Sequence, residues 1–379
     1  MKTKPRVYFT SNVFSVEELG SNVRISRTIR NEIQVLWNRL KSTAEVRILK
    51  ERFPSSEQIE KDLKEFNPHI LGCHLSHHIT SNMQQNSNLF AIATSTAGYN
   101  HIERLEVDNI LITHTPGVLH EAVADYTISL IMANLRNIID LHNYVWDGLW
   151  TLEDKWDLDQ DLSSVITNKT IGIIGMGEIG IELVKRLYPW GVKFIYYDIQ
   201  KKESIEKQYP KIEFKENLKE LFKEADIISL HLPLNKHTEN LIDKEFLMLM
   251  KENSLLINTA RGGILNLNDF LYLLETGRAQ INFSFDVYPQ EPLNNLTLQR
   301  FKKIKQSYPD IRMILMPHNA SADADTRAKM VVLLLNDIIK LLESSDINDL
   351  ENVHVISEQK EQLNVKKWKI FEFWKLNIK

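Results

Sequence analysis

The sequence predicts an α/β protein built on parallel strands, with room for two domains. Three observations lead there. Short apolar runs alternate with amphipathic helical stretches along most of the chain. One segment reads strand, glycine-rich turn, helix, strand. The chain has 379 residues, 43% hydrophobic and 25% charged, the profile of a folded globular protein.

The elements follow in order. Arg6 to Phe9 reads as a strand, and Ser26 to Leu40 as a helix with Ile29, Ile33, Leu36 and Leu40 on one face. Val46–Leu49 is a strand and Ile59–Phe66 a helix. His69–His74, Leu89–Ala93 and Ile110–Thr113 continue the strand pattern. His120 to Trp146 reads as one long helix whose buried face carries Ala122, Ala124, Ile128, Ile131, Met132 and Leu135. The polar, acidic stretch after it, from Asp147 to Asn168, reads as a connector.

Bulk properties exclude several classes. A formal net charge of −4 argues against a nucleic-acid partner. Cys73 is the single cysteine, so no intrachain disulfide forms, which suits a reducing, cytoplasmic setting. The first residues lack the apolar core of a signal peptide, and no apolar run is long enough to span a membrane.

The clearest unit is "TIGIIGMGEIGIELVKRLYPWGVKFIYYDIQKK". Ile171–Ile174 is a buried strand. Gly175, Gly177 and Gly180 form Gly-x-Gly-x-x-Gly, with Glu178 and Ile179 between them at the start of a helix. The first glycine permits a tight turn, the second lets backbone approach a pyrophosphate, and the third lets helix pack on strand. Free N–H groups at the helix start face the phosphates. A second strand, Lys193–Tyr197, ends in Asp198, roughly twenty residues after Gly177, where a carboxylate meets the adenosine ribose. That carboxylate favours NAD over NADP, whose 2′-phosphate it repels; Lys201 and Lys202 weaken the preference. Further strands, Ala225–Leu230, Ser254–Ile257, Ile281–Phe285 and Met313–Met316, each run into a loop carrying polar or proline residues. Ligands of doubly wound sheets sit beyond the strands' carboxyl ends, which gathers Pro233, Arg261, Asp286, Glu291 and His318 on one side.

At this point the sequence resembles the D-isomer-specific 2-hydroxyacid dehydrogenase family, in particular its glyoxylate/hydroxypyruvate reductase branch. The resemblance rests on "STAGYNHI" (95–102), "THTPGVLHEAVADYTISLIMANLR" (113–136), "TIGIIGMGEIG" (170–180), "ADIISLHLPL" (225–234), "NTARGGIL" (258–265), "FDVYPQEPL" (285–293) and "MPHNAS" (316–321), in the family's order. It implies two Rossmann-like domains on doubly wound parallel sheets around a cleft. The substrate domain is discontinuous: residues 1–123, then 319–379 with a C-terminal tail. Residues 124–318 form the NAD-binding domain. A homodimer is expected from the family alone.

The resemblance also implies a catalytic trio. Arg261 offers a planar fork for a substrate carboxylate and carbonyl oxygen. His318 donates the proton in reduction and takes it in oxidation. Glu291 bonds the other ring nitrogen and stabilises the imidazolium. Singly, each has a blander reading, as a surface arginine, a turn glutamate before Pro292 and a structural histidine; together and in order they point to acid–base chemistry on a small 2-oxo acid. The family's remaining roles fall on Ala97 and Gly98, whose amides grip the carboxylate, and on Leu75 and Ser76 in the other pocket loop. Asp286 is matched to the acid that meets the nicotinamide carboxamide. Thr259 and Ala260 line the nicotinamide, Leu232, Pro233 and Thr238 flank the adenine side, and Ala320 lies beside the cofactor.

"CHLSHH" (73–78) has histidines at irregular spacing without a nearby acid, so no zinc site is expected; they read as solvated loop residues. Ala320 stands where the family has glycine, Asn266 where it often has aspartate, and the segment from Leu293 to Ile311 is longer than usual. In "NVKKWKIFEFWKLNIK", Val365, Trp368, Phe371, Trp374 and Ile378 form one helical stripe, read as packing on the body or on a second subunit. Two rivals share the fold. Formate- or phosphite-oxidising enzymes are disfavoured, since Glu291 is not glutamine and "STAGYNHI" has no lysine. A nucleotide-sensing, corepressor-like protein retains the trio and stays open.

Overall fold

The computed structural model describes residues 4–103, 109–154 and 158–377. The chain divides into two compact units, Met1–Leu119 with Ala322–Lys379, and His120–Ser321. Each is built on a parallel sheet.

The first unit has five strands: β1 (Arg6–Phe9), β2 (Glu45–Ile48), β3 (Ile70–Cys73), β4 (Ala91–Thr94) and β5 (Leu111–Thr113). Their order is β2-β1-β3-β4-β5, all parallel. This is the doubly wound order in which the chain reverses direction beside its first strand. β3 and β4 are buried throughout, as strands covered on both faces must be. The helix Arg27–Thr43 buries Ile29, Ile33, Leu36 and Leu40, the stripe expected from their spacing, and Trp37 beside them. It packs with the helix Ala324–Glu343 in one core. The opposite core holds Ile59, Leu63 and Phe66 of the helix Ser56–Phe66.

The C-terminal return also extends the sheet. Val355 bridges Thr113 in antiparallel sense, and the Ile356 amide bonds Ile112 O. Gln359 accepts from the Ile112 amide at 2.7 Å and donates to Ile110 O at 2.9 Å. The tail then packs into the core, though not along the expected stripe. Trp368, Ile370, Phe373 and Trp374 are buried, whereas Val365 is exposed. The helix begins only at Ile370, so Val365 lies outside its register. Ile378 lies outside the described residues.

The second unit has seven parallel strands: β6 (Thr170–Ile174), β7 (Lys193–Tyr197), β8 (Ile212–Phe214), β9 (Ile227–Leu230), β10 (Leu255–Asn258), β11 (Asn282–Phe285) and β12 (Met313–Leu315). Their order is β12-β11-β10-β9-β6-β7-β8. The order reverses between β6 and β9, which opens a crevice at their carboxyl ends. Two helices stand where one was expected, His120–Leu135 and Ile138–Trp146. Asn137 takes a left-handed φ of 52° between them, a conformation asparagine tolerates better than most residues. The first helix buries Val123, Thr127, Leu130 and Asn134 rather than Ala122, Ile128 and Met132. The two polar positions go inward because they find partners: Asn134 Nδ2 bonds Phe283 O, Ser284 Oγ and Arg312 O. The long segment after Leu293 folds as the helix Asn295–Ser307, capped by Asn294. The connector has turns but no regular element among its described residues; residues 155–157 lie outside them.

Trp374 is nearly buried and its indole N–H reaches Ser344 Oγ at 3.0 Å. Trp374→Ala should therefore cost about 3–5 kcal/mol, as large-to-small changes of buried aromatics do. Urea unfolding measures it; a loss under ~1 kcal/mol would show that the tail is not part of the core.

Candidate active site

The site in the second unit is built from three loops that follow β10, β11 and β12. After β10, Asn258 folds its side chain over the next turn, accepting from the Ala260 amide at 3.1 Å and donating to Arg261 O at 3.0 Å. Thr259 turns its hydroxyl inward to Thr127 Oγ1 at 2.9 Å. The backbone after Arg261 then runs against the next loop: a Cβ on Gly262 would lie 1.9 Å from the Tyr288 carbonyl carbon. Only glycine permits that approach, and it ties the Arg261 turn to the loop carrying Glu291. Arg261 is half-buried, with Nη1 on Ala260 O at 2.6 Å. Burial lowers its pKa, and the nearby Glu291 charge opposes that shift.

Glu291 is fixed at both oxygens. Oε1 accepts from the Tyr288 amide at 2.9 Å, and Oε2 lies 2.5 Å from His318 Nδ1. Burial raises its pKa, but the bonds from His318 and the Tyr288 amide, with the charges of His318 and Arg261, outweigh it and hold the group below its ordinary value.

His318 itself has a left-handed φ of 52°, unusual for a non-glycine residue. Asp286 holds it there. Its carbonyl accepts from the His318 amide at 2.8 Å, and its carboxylate accepts from Asn319 at 2.7 Å and Ala320 at 2.8 Å. Asp286 is fully buried and burial raises its pKa, against those two backbone bonds. Its carboxylate thus braces the His318 turn from behind. Ala320 is buried and joins that brace. Asn266 caps the helix Leu267–Glu275 through the Asp269 amide, a role aspartate fills equally well.

The glycine turn follows β6. Gly175 has φ of +98°, and a Cβ there would lie 2.6 Å from His231 O in the loop after β9, so the loops of the two switch-point strands touch. Gly180 packs against Gly175 O, where a Cβ would come within 2.7 Å, and above Gly177 the space is open. Glu178 and Ile179 begin the helix Glu178–Leu187, whose N-cap has no side-chain partner. Asp198 Oδ2 takes the Met176 amide at 2.8 Å, so one oxygen steadies the turn. Lys201 is paired with Glu206 at 3.1 Å. After β9, Thr238 Oγ1 donates to Pro233 O at 2.6 Å, holding the loop that carries Leu232 and Pro233. His231, which the sequence reading passed over, is bonded through Nε2 to Ser229 at 2.8 Å, and burial lowers its pKa to about 4.

In the first unit, "STAGYNHI" lies just past β4. Three successive carbonyls are tied: Thr96 O by the Thr115 amide (2.9 Å), Ala97 O by His114 Nδ1 (2.8 Å) and Gly98 O by Thr96 Oγ1 (2.6 Å). Leu75 and Ser76 are exposed in the loop after β3. The histidines beside them were expected to be solvated, and two of the three are not. His77 is buried, bonded to Thr10 Oγ1 at 2.7 Å, with its ring centroid 4.1 Å from that of His74 and tilted to it; of the three only His78 is exposed. Burial pushes the His74 pKa down to about 3. Elsewhere His120, Glu121 and Glu182 come within 4.8 Å of one another, but Glu182 already receives Lys185 and Arg186.

The family model of the D-isomer specific 2-hydroxyacid dehydrogenase, NAD binding domain, matches residues 128–320. The chain is 34% identical over 307 residues to a glyoxylate reductase of Thermofilum pendens, covering 80% of this chain and 86% of that one. The chain belongs to the D-isomer specific 2-hydroxyacid dehydrogenase family. This dehydrogenase is also 30% identical over 375 residues to a glyoxylate reductase of Pyrococcus horikoshii, covering 94% and 98% of the two chains. Its fold resembles that of the TT0316 protein of Thermus thermophilus, with a TM-score of 0.71, 27% identity and coverage of 89% and 97%.

The nucleotide unit of the dehydrogenase fits NAD. Gly177 leaves open space where a Cβ would stand, the helix after it presents uncapped amides, and Asp198 keeps one carboxylate oxygen outside the turn's own bond.

A pH prediction follows from Glu291. Its folded pKa lies below the unfolded value of about 4.3, so the stabilisation it gives is present above that pH and is lost as pH falls through the folded value. Near neutrality the wild type should melt about 2–4 °C above Glu291→Gln, the shift of ~1 kcal/mol in a domain of this size. In acid the gap should close. A gap constant from pH ~7 to ~3 would contradict the depressed carboxylate.

Proposed function

We propose that this dehydrogenase reduces a small 2-oxo acid to the D-2-hydroxy acid with NADH, and that Arg261, Glu291 and His318 carry the chemistry. The observation that supports this most is the 2.5 Å contact of Glu291 Oε2 with His318 Nδ1. A carboxylate accepts from Nδ1–H, which leaves Nε2 of the imidazolium as the proton donor. Arg261 binds the substrate carboxylate and the carbonyl oxygen through its fork of donors. The amides of Ala97 and Gly98 share the carboxylate, and Leu75 and Ser76 touch the substituent on the reacting carbon. Bound NADH supplies the hydride. As charge develops on the carbonyl oxygen, Arg261 stabilises it and His318 neutralises it by proton transfer, while Glu291 holds the ring in place.

Glyoxylate and hydroxypyruvate are the first substrates to consider, since curated relatives are named glyoxylate reductases. NAD is favoured over NADP because Asp198 would face a 2′-phosphate and Lys201 is committed to Glu206. Among the described residues no helix is long and apolar enough to cross a membrane. A cytoplasmic homodimer is proposed. Val145, Trp146, Leu149 and Trp150 form an exposed apolar run that would otherwise face water, and a second copy is its proposed occupant.

NADH oxidation at 340 nm with glyoxylate, hydroxypyruvate, pyruvate and bulkier 2-oxo acids tests the reading. Turnover with at least one acid should fall by roughly 10²-fold or more in His318→Ala and in Arg261→Ala. NADPH should serve less well. Binding of NADH without turnover of any acid would favour a sensing role instead. Separately, Trp146→Glu with Trp150→Glu should shift the mass in solution from dimer to monomer. An unchanged dimer would move the interface elsewhere.

A further inference from the structure

The loop 95–102 ends β4 with its carbonyls turned inward and bonded, as described above. The consequence concerns its amides. Among the described residues no group accepts from the Ala97 or Gly98 N–H, while the carbonyls of residues 96, 97 and 98 are all engaged. A peptide plane whose C=O is held on one side presents its N–H on the other, so fixing the carbonyls fixes where the amides point. The Ala97 carbonyl is held by the ring of His114.

His114 is anchored in turn. Its own amide donates to His354 O at 3.0 Å. The His354 ring bonds the fully buried carboxylate of Asp337 through Nδ1, at 3.0 and 3.1 Å, and the His354 amide reaches the same group at 3.3 Å. Tyr99 stands edge-on to the His114 ring at 5.7 Å and bonds Glu358 at 2.7 and 2.8 Å. Asp337 lies on the helix Ala324–Glu343 and His354 on the strap that pairs with β5, so the ring is set by elements of the domain body rather than by its own loop.

We propose that His114 is a positioning residue for carboxylate binding: by donating Nδ1–H to Ala97 O it orients the peptide plane that carries the Gly98 N–H, which receives the substrate carboxylate together with the Ala97 N–H, whose own plane is held by the Thr115 amide on Thr96 O. This rests on the proposed grip of the carboxylate by those two amides. His114 does not touch the substrate and moves no proton. A carbonyl only accepts, so the ring carries its hydrogen on Nδ1.

Three variants test this in the full-length enzyme, with glyoxylate, or whichever 2-oxo acid of the panel turns over fastest, as the probe. His114→Ala should raise KM for the acid roughly tenfold or more, about what losing an aligned hydrogen bond to a charged group costs. NADH affinity should stay within about twofold, since one lost loop contact in the first unit leaves the nucleotide-binding residues in place. His114→Asn keeps an N–H donor at nearly the same place and should recover most of the lost affinity. Gly98→Pro deletes one of the two amide hydrogens outright and should raise KM whatever His114 does. If KM rises in Gly98→Pro but not in His114→Ala, the positioning role is wrong and the amide grip stands. If neither variant changes KM, the grip itself is wrong. If His114→Asn is as poor as His114→Ala, with both melting at the wild-type temperature, the donor is not what matters and the proposal fails.

Discussion

The position of His318 depends on one buried residue. Asp286 takes three consecutive amides, one with its carbonyl and two with its carboxylate, and so holds the backbone of residues 318–320 in a left-handed turn that is uncommon for a non-glycine residue. A left-handed non-glycine residue is strained, and a buried carboxylate is costly. Each offsets the other here: the amides that the strained turn exposes are the donors that the carboxylate needs. Because Asp286 follows β11 and His318 follows β12, the parallel pairing of these two strands sets the ring's place.

The charges around the ring follow the same economy. Arg261 and Glu291 are both drawn partly out of water, which by itself disfavours either charge. They lie near enough to oppose that cost, and the Tyr288 amide adds a fixed dipole to Glu291. Gly262 makes the arrangement possible, since any larger residue would hold the two loops apart. Asp286, though close, commits its carboxylate oxygens to the Asn319 and Ala320 amides, while the ring's Nδ1 meets Glu291.

Much of this was legible in the sequence, for physical reasons. Strands buried on both faces are continuous apolar runs, and β1 and β7 stand where those runs predicted, with most others displaced by a residue or two. β8 was not seen because it is a three-residue edge strand, Ile212–Phe214, alternating with charge. The break at Asn137 carries no glycine or proline to announce it. At the site, places after the strands gathered Pro233, Arg261, Asp286, Glu291 and His318, the family resemblance singled out Arg261, Glu291 and His318 among them, and the structure brings Glu291 and His318 into contact. What the sequence could not reveal were the supports: Asn258 over its own turn, Thr127 meeting Thr259, and Asp286 taking the amides of residues 318–320. Those partners are remote in sequence, and side-chain direction cannot be read from spacing. The histidine run misled for a related reason, because whether His77 is solvated depends on Thr10, far earlier in the chain.

The split first unit has a consequence for biosynthesis. Phe9, Ile33 and Trp37 share a core with Leu334, Ile338 and Trp374, and the whole of His120–Ser321 lies between those halves. As the chain leaves the ribosome, the middle unit has everything it needs to close while the opening residues wait with half a core. The domain begun first is finished last, at the final helix. Until then its apolar face is uncovered, and that interval is when such a nascent chain is most exposed to aggregation and most dependent on chaperones.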